Sequence, residues 1–177
     1  MAKARLATVW LDGCSGCHMS LLDMDERLLA LADQVELVYS PLVDRKEFPA
    51  EVDLTLVEGA VSSADDLEKI IRIRAHTRVL VSLGDCATTG NVPSLRNPFP
   101  TSTLLERAYT ENVTRGGMIP LEMVPALLPR VRPVHEVVAV DVFVPGCPPP
   151  ADVIYLVLVE LLAGRTPDIS ALTRFGR

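Results

Sequence analysis

Apolar residues recur along the chain in two alternating patterns, one typical of strands and the other of helices. Five short segments are rich in β-branched and aliphatic residues, as buried strands are. They cover residues 5–11, 35–40, 52–60, 77–84 and 136–146. Between the first two, the residues MSLLDMDERLLALA carry apolar side chains at positions 21, 24, 28 and 31, a spacing that predicts one helix.

The segment after the third predicted strand carries a helix-start signal. Ser63 stands three residues before Asp66, which is the arrangement of a capping box. The residues that follow place Leu67, Ile70 and Ile71 on one predicted helix face. We therefore expect a capped helix that packs this face against the core.

The last predicted strand leads into another helix. The prolines at 148–150 suit a helix start, and Gly164 suits its end. Strands and helices therefore alternate, which predicts an α/β fold with a parallel sheet, right-handed crossovers and helices on both faces. We expect the doubly wound, flavodoxin-like strand order 2-1-3-4-5 in a single domain over residues 1–177.

Residues 87–135 interrupt this alternation before the last strand. The segment is rich in proline, which predicts an irregular excursion packed on the core. Within it we predict one helix near Ser102–Tyr109 and a second in residues 120–128, PLEMVPALL.

Composition narrows the classes of function. The 177 residues include 17 Lys+Arg and 23 Asp+Glu, for a net charge of -6, and no basic stripe suits nucleic acid. The longest apolar run, residues 153–159, falls short of the roughly 20 residues that span a bilayer. The first residues lack the apolar stretch of a signal peptide, so we expect a cytoplasmic protein without a membrane span. A mean hydropathy of +0.28 indicates surface reserved for partner proteins.

Four cysteines fall where predicted strands end. Cys14 and Cys17 follow the first strand, Cys86 follows the fourth and Cys147 follows the fifth. In an open α/β sheet, ligands bind beyond the carboxyl ends of the strands. Three separate loops are thus predicted to deliver sulfur to one edge. In a reducing compartment such cysteines are candidate metal ligands or redox thiols rather than structural disulfides.

Several kinds of site remain open for these thiols. Four thiolates suit a 4Fe–4S cluster or a tetrahedral zinc ion. Structural zinc usually takes two close CxxC pairs, whereas only Cys14 and Cys17 are close in this sequence. A thioredoxin-like CxxC couple would explain those two and leave Cys86 and Cys147 without a role. A flavodoxin-like FMN carrier would need phosphate contacts after the first strand, where DGCSGC offers only backbone N–H groups.

Four polar residues predicted to lie at the same sheet edge as the cysteines have candidate roles. His18 is a candidate hydrogen-bond donor to cluster sulfur, with an exposed histidine as the alternative. Glu58, at the end of the third strand, is a candidate proton carrier or partner contact, with a capping or solvated glutamate as the alternative. Asp12 and Asp85 closely precede cysteines and suit Asx-turns that shape those loops.

The motifs CSGC, VEGA, GDCATTGN and VPGCPPP, in this order, closely resemble the small subunit of nickel-iron hydrogenases. The short chain is similar to the cytoplasmic, NAD-reducing group of that family. The resemblance implies that Cys14, Cys17, Cys86 and Cys147 ligate one proximal 4Fe–4S cluster. It also implies a large partner subunit with the nickel-iron centre, and diaphorase subunits with FMN and further iron–sulfur clusters that reduce NAD. In this hypothesis the chain carries electrons for the reaction of H2 and NAD+ to NADH and H+, and breaks no bond itself.

Three differences from related proteins refine this hypothesis. Periplasmic relatives carry two more clusters and a twin-arginine leader, whereas this sequence has no cysteine after Cys147 and no leader, which predicts a single cluster. Those relatives commonly have a glutamate two residues after the second cysteine, where this chain has Met19. The related cluster subunit of respiratory complex I uses two adjacent cysteines, whereas Ser-Gly separates Cys14 from Cys17. A complex I-like quinone-module subunit and a CxxC thiol-disulfide oxidoreductase are the alternatives.

Overall fold

A five-stranded parallel sheet and a separate two-stranded antiparallel sheet organise the protein in its computed structural model, which describes residues 3–176. Within residues 3–176 the strands are β1 (Ala4–Trp10), β2 (Val35–Tyr39), β3 (Val52–Glu58), β4 (Val61–Ser63), β5 (Thr77–Leu83), β6 (Leu127–Arg132) and β7 (Val142–Val144). The parallel sheet has the order β2-β1-β3-β5-β7. Its strands, counted alone along the chain, follow the predicted order 2-1-3-4-5, which confirms the predicted fold class.

Helices cover both faces of the parallel sheet. In the described part of the chain the α-helices are α1 (Gly16–Leu22), α2 (Glu26–Ala32), α3 (Ala64–Ala75), α4 (Gly84–Thr89), α5 (Thr101–Glu106) and α6 (Ala151–Leu162). Short 3-10 turns lie at Val92–Arg96 and Val134–Glu136, and a π-helical turn at Arg107–Glu111 extends α5. Among residues 3–176, none of these helices combines the length and apolarity that crossing a membrane requires.

Alternate residues of the strands build the two halves of the core. Leu54 and Leu56 of β3 share one buried cluster with Ile154 of α6. Val57, the next residue of β3, shares the other buried cluster with Ile70 of α3. This alternation is what a strand covered on both faces requires, because successive side chains point to opposite faces. The sheet is therefore held between two apolar layers.

The predicted helix between the first two strands is two helices in the structure. The helical geometry is interrupted after α1, and Asp25, at the N-cap of α2, has a positive φ of 49°. Aspartate is a weak helix former, because its side chain competes with backbone hydrogen bonds. Met24 at the break is only 1% exposed and packs in the core. The break leaves α1 as a short helix directly after the CSGC loop.

Helix α3 starts as predicted and buries a slightly different face. Ser63 caps it, and Ser63 and Asp66 form the reciprocal capping box. Ile70 is buried together with Ile73, whereas Ile71 is 52% exposed, so the prediction of Ile71 as a core residue was wrong. A residue three positions away lies on nearly the same side of a helix, while the next residue lies about 100° around it.

The excursion contains a strand where a second helix was predicted. The helix near Ser102–Tyr109 is present as α5 and its π-helical extension. Residues 120–128 form no helix, and β6, which begins at Leu127, pairs antiparallel with β4. Prolines at 120, 125 and 129 explain this outcome. Each proline lacks an N–H group and disfavours helical geometry in the residue before it.

The last strand is shorter than predicted. Of residues 136–146, only Val142–Val144 pair with β5. Just before them, the carboxylate of Asp141 accepts the backbone N–H of Leu80 at 2.7 Å. The side chain of Asp141 thus takes the place of a backbone carbonyl in the ladder. The predicted helix that follows is α6, with Pro150 at its N-cap and Gly164 at φ 72° just after its end.

Removing the capping box should destabilise the fold. In Ser63→Ala, the N–H of Asp66 loses the hydroxyl that accepts it at 3.1 Å. We expect the free energy of unfolding to fall by about 1 kcal/mol. Chemical denaturation measures it, with Ser102→Ala as the control, because Ser102 is an exposed serine in the first turn of α5. Equal stability of the two variants would contradict the capping role.

Candidate metal centre

The carboxyl ends of four parallel strands lie in one row. Trp10 is paired with Glu58, Glu58 with Leu83, and Leu83 with Val144. The loops that follow β1, β5 and β7 therefore leave the sheet at the same height. Each of these loops carries at least one of the predicted cysteines within a few residues of its strand.

These loops bring the four predicted cysteines around one cavity. Its volume is about 60 Å³. All four cysteines are free thiols, with Cys17 buried and Cys14 and Cys147 exposed. Within residues 3–176, no three Cys, His, Asp or Glu side chains gather tightly enough to hold a single metal ion. The residues lining the cavity are Cys14, Gly16, Cys17, Glu58, Asp85, Cys86, Gly146, Cys147 and Pro148.

Gly84 allows the β5 loop to approach the first cysteine loop. Its φ is +83°, a left-handed conformation that side chains rarely adopt. A Cβ atom at this position would overlap the sulfur of Cys17. Glycine is therefore required here on two grounds, backbone conformation and space. The close approach is what places Cys86 on the same cavity as Cys17.

Burial disfavours ionisation of the inner thiols, which are those of Cys17 and Cys86. Loss of solvation raises the pKa of Cys17, and the nearby carboxylate of Glu58 raises it further. Burial also raises the pKa of Cys86 to about 11, with a second contribution from Cys147. Thiolates at these positions therefore need a cationic group to neutralise them. A metal ion has this effect, since it deprotonates a coordinating thiol.

Several N–H groups point at the sulfurs. The backbone N–H of Gly16 donates to Cys14 Sγ at 3.4 Å, and Asn91 Nδ2 donates to Cys147 Sγ at 3.7 Å. The backbone of Val92 donates to Cys86, which partly offsets the rise in its pKa. Such bonds stabilise negative charge on sulfur. The sequence alone indicated no role for Asn91, although Gly90 at the end of α4 signals the turn that brings it back toward the cavity.

His18 and Glu58 belong to a buried polar chain behind the cavity. His18 is 4% exposed and Glu58 is 2% exposed, which corrects the alternatives of an exposed histidine and a solvated glutamate. His18 Nδ1 pairs with Glu58 Oε2, and His18 Nε2 lies 3.0 Å from Thr8 Oγ1. Both ring nitrogens are therefore engaged away from the cysteines, which contradicts the candidate role of His18 as a donor to cluster sulfur. Thr8 Oγ1 continues the chain to Ser40 Oγ at 2.7 Å.

Glu58 also fixes the start of α1. Its Oε2 accepts the backbone N–H of His18 at 2.9 Å. This bond joins the end of β3 to the helix turn that carries Cys17. Met19, one residue further along, is 57% exposed and offers no ionisable group. The carboxylate that lines the cavity beside α1 is therefore that of Glu58, at the end of β3.

Comparison with known proteins is consistent with this geometry. Residues 14–161 match the family described as "NADH ubiquinone oxidoreductase, 20 Kd subunit". The chain is 41% identical to the delta subunit of the NAD-reducing hydrogenase HoxS of Cupriavidus necator, over 98% of this chain and 86% of that protein. It is 40% identical to a subunit of the F420-non-reducing hydrogenase of Methanothermobacter marburgensis, over 94% of this chain and 56% of that longer protein.

A solved structure extends the similarity to the whole fold. The crystal structure of an NAD+-reducing NiFe hydrogenase in the H2-reduced state contains a chain with 42% identity and a TM-score of 0.94. The match covers 98% of this chain and 99% of that one. The chain therefore belongs to the family of the NADH ubiquinone oxidoreductase 20 Kd subunit, and within it resembles subunits of NAD-reducing nickel-iron hydrogenases, as its sequence motifs predicted.

Proposed function

We propose that this chain is the electron-transfer small subunit of an NAD-reducing nickel-iron hydrogenase and holds one 4Fe–4S cluster. Cys14, Cys17, Cys86 and Cys147 are the proposed ligands. The observation that carries the proposal is the position of four free thiols, from three separate loops, around one cavity at the sheet edge. Four thiolates are the usual ligand set of such a cluster.

The arrangement of the thiols favours a cluster over a zinc ion. Zinc needs four ligands converging on one point at about 2.0–2.3 Å. The described cysteines are spread around the cavity wall without such convergence. A 4Fe–4S cluster suits this spread, because each thiolate binds a different iron. A CxxC dithiol couple accounts less well for the site, since Cys86 and Cys147 line the same cavity.

The exposure of the sulfurs suits an electron relay. Cys17 lies on the buried side of the cavity, while Cys14 and Cys147 lie on the solvent side. A group held between them would be anchored in the core and open at one face. In the segment after α4, Val92, Leu95 and Phe99 are apolar residues that are 62%, 71% and 53% exposed. We assign this open face, with those side chains, to contact with partner subunits.

The chain's own residues would hold and tune the group. When bound, a 4Fe–4S cluster supplies a centre that accepts and releases one electron at a time. Gly16, Asn91 and Val92 direct N–H groups at sulfur, which favours added negative charge. The nearby carboxylates of Glu58 and Asp85 act in the opposite sense. These contributions together set the potential of the relay.

The proposed partners follow from the resemblance and from the relatives. A large subunit with the nickel-iron centre would oxidise H2 and release two electrons and two protons. Diaphorase subunits with FMN and further clusters would pass the electrons to NAD+, giving NADH. This chain would connect the two in the cytoplasm, as a single domain over residues 1–177.

Replacing a proposed ligand should remove the cluster. In Cys147→Ser, we expect the iron and acid-labile sulfide of the anaerobically purified complex each to fall by about four per chain. Cys86→Ser should give the same result. The control is Ser15→Gly in the CSGC loop, because glycine fits the φ of 66° at that position and removes no sulfur. A complex that stays fully metallated in both cysteine variants, or a parent chain holding zinc without sulfide, would contradict the proposal.

The relay role predicts that two activities will separate. In the assembled complex, Cys147→Ser should abolish H2-dependent reduction of NAD+ while leaving hydrogen isotope exchange, which needs only the nickel-iron centre. Size-exclusion chromatography must first verify that the large subunit is still bound. Equal loss of both activities in an intact complex would count against a relay. H2-dependent reduction of a quinone in place of NAD+ by the parent complex would instead favour the complex I-like alternative.

A further inference from the structure

The segment that follows α6 folds back onto the cysteine edge. We call residues 169–176 the strap. Ile169 anchors it in the core with 9% of its surface exposed. Thr173, also buried, donates from Oγ1 to the carbonyl oxygen of Pro145 at 2.5 Å. The backbone N–H of Gly176 donates to Asp85 Oδ2 at 2.8 Å.

Asp85 joins the strap to two cysteine loops. Its side chain is buried, and its second oxygen, Oδ1, accepts the backbone N–H of Gly146 at 2.7 Å. Its own backbone N–H donates to the carbonyl oxygen of Gly146 at 2.9 Å. Asp85 immediately precedes Cys86, and Gly146 immediately precedes Cys147. One carboxylate therefore connects residues next to two of the four cysteines with a segment 91 positions further along the chain.

The hydrogen bonds of Asp85 are of the strong kind. A carboxylate oxygen that accepts a backbone N–H forms a charge-assisted bond, and such bonds weigh more when they are buried. The carboxylate has two oxygens and uses one for each partner. An asparagine at this position has only one carbonyl oxygen, and its NH2 group would face an N–H donor. Asparagine, the nearest isostere, therefore cannot satisfy both partners.

We propose that Asp85 is a positioning residue, which acts through the strap to fix the loops of Cys86 and Cys147 relative to each other. The inference rests on the proposed function, since it concerns how firmly these cysteines hold their metal group. With the bonds of Asp85 intact, the two loops move as one unit. Without them, the end of the strap loosens and the two loops are held together less firmly.

The test compares Asp85→Asn with the parent in the purified complex. Iron from this site should be extracted by a chelator about tenfold faster, the factor expected for losing one hydrogen bond to a charged group. The iron and the EPR signal of this site are identified as those that Cys147→Ser removes. The EPR spectrum should change, and hydrogen exchange should increase at residues 169–176. Asp44→Asn is the matched control, because Asp44 is exposed in the loop between β2 and β3, outside the strap and the cysteine loops.

A second variant keeps the inference testable if Asp85→Asn fails to assemble. Thr173→Val removes only the hydroxyl bond to Pro145 and lies far from every cysteine in sequence. It should also speed iron extraction and loosen the strap. Parental extraction rates and EPR spectra in both variants, or equal effects of Asp44→Asn, would overturn the inference. If the parent contains no cluster at all, the proposed function fails instead.

Discussion

The parallel register of the central sheet is the constraint on which the cysteine site depends. Trp10, Glu58, Leu83 and Val144 form one row of paired residues, so the loops beyond them start level with one another. A strand rises about 3.3 Å per residue, and a slip of one residue would shift a loop by that distance. It would also turn every buried side chain of the strand to the wrong face. The two apolar layers of the core therefore fix the positions of the sulfurs as well as the fold.

The buried carboxylates at this edge of the sheet accept hydrogen bonds from backbone N–H groups. Glu58 and Asp85 are 2% and 1% exposed, and both accept backbone N–H groups. In the described part of the chain, no buried side-chain nitrogen or oxygen lacks a hydrogen-bond partner. The thiols of Cys17 and Cys86 differ, because burial raises their pKa values without full compensation from N–H donors. The carboxylates are stable in the fold as it stands, whereas the inner sulfurs are suited to a cationic group.

Local sequence signals predicted the sheet and its edge better than the features that depend on distant contacts. The strands could be located because each is a short apolar run, and the end-of-strand rule placed the cysteines. The break around Met24 was missed, because positions 21, 24, 28 and 31 keep one helical spacing on both sides of it. The pairing of β4 with β6 joins distant segments, and within PLEMVPALL only the prolines argue locally against a helix. The burial of His18 and the bond from Asp85 to Gly176 have no local signature, because their partners lie 40 and 91 positions away.

β7 is an edge strand of the parallel sheet and the last of its strands along the chain, so the cysteine cavity is the last part of the sheet edge to be completed. This strand pairs only with β5 in that sheet, and it carries the loop of Cys147. The side of the cavity formed by Cys147 is therefore synthesised after the other strands of the sheet. It is complete only when β7 pairs with β5. The four cysteines therefore surround one cavity only in the fully folded chain, and Cys14 and Cys147 are the two that the finished edge leaves exposed.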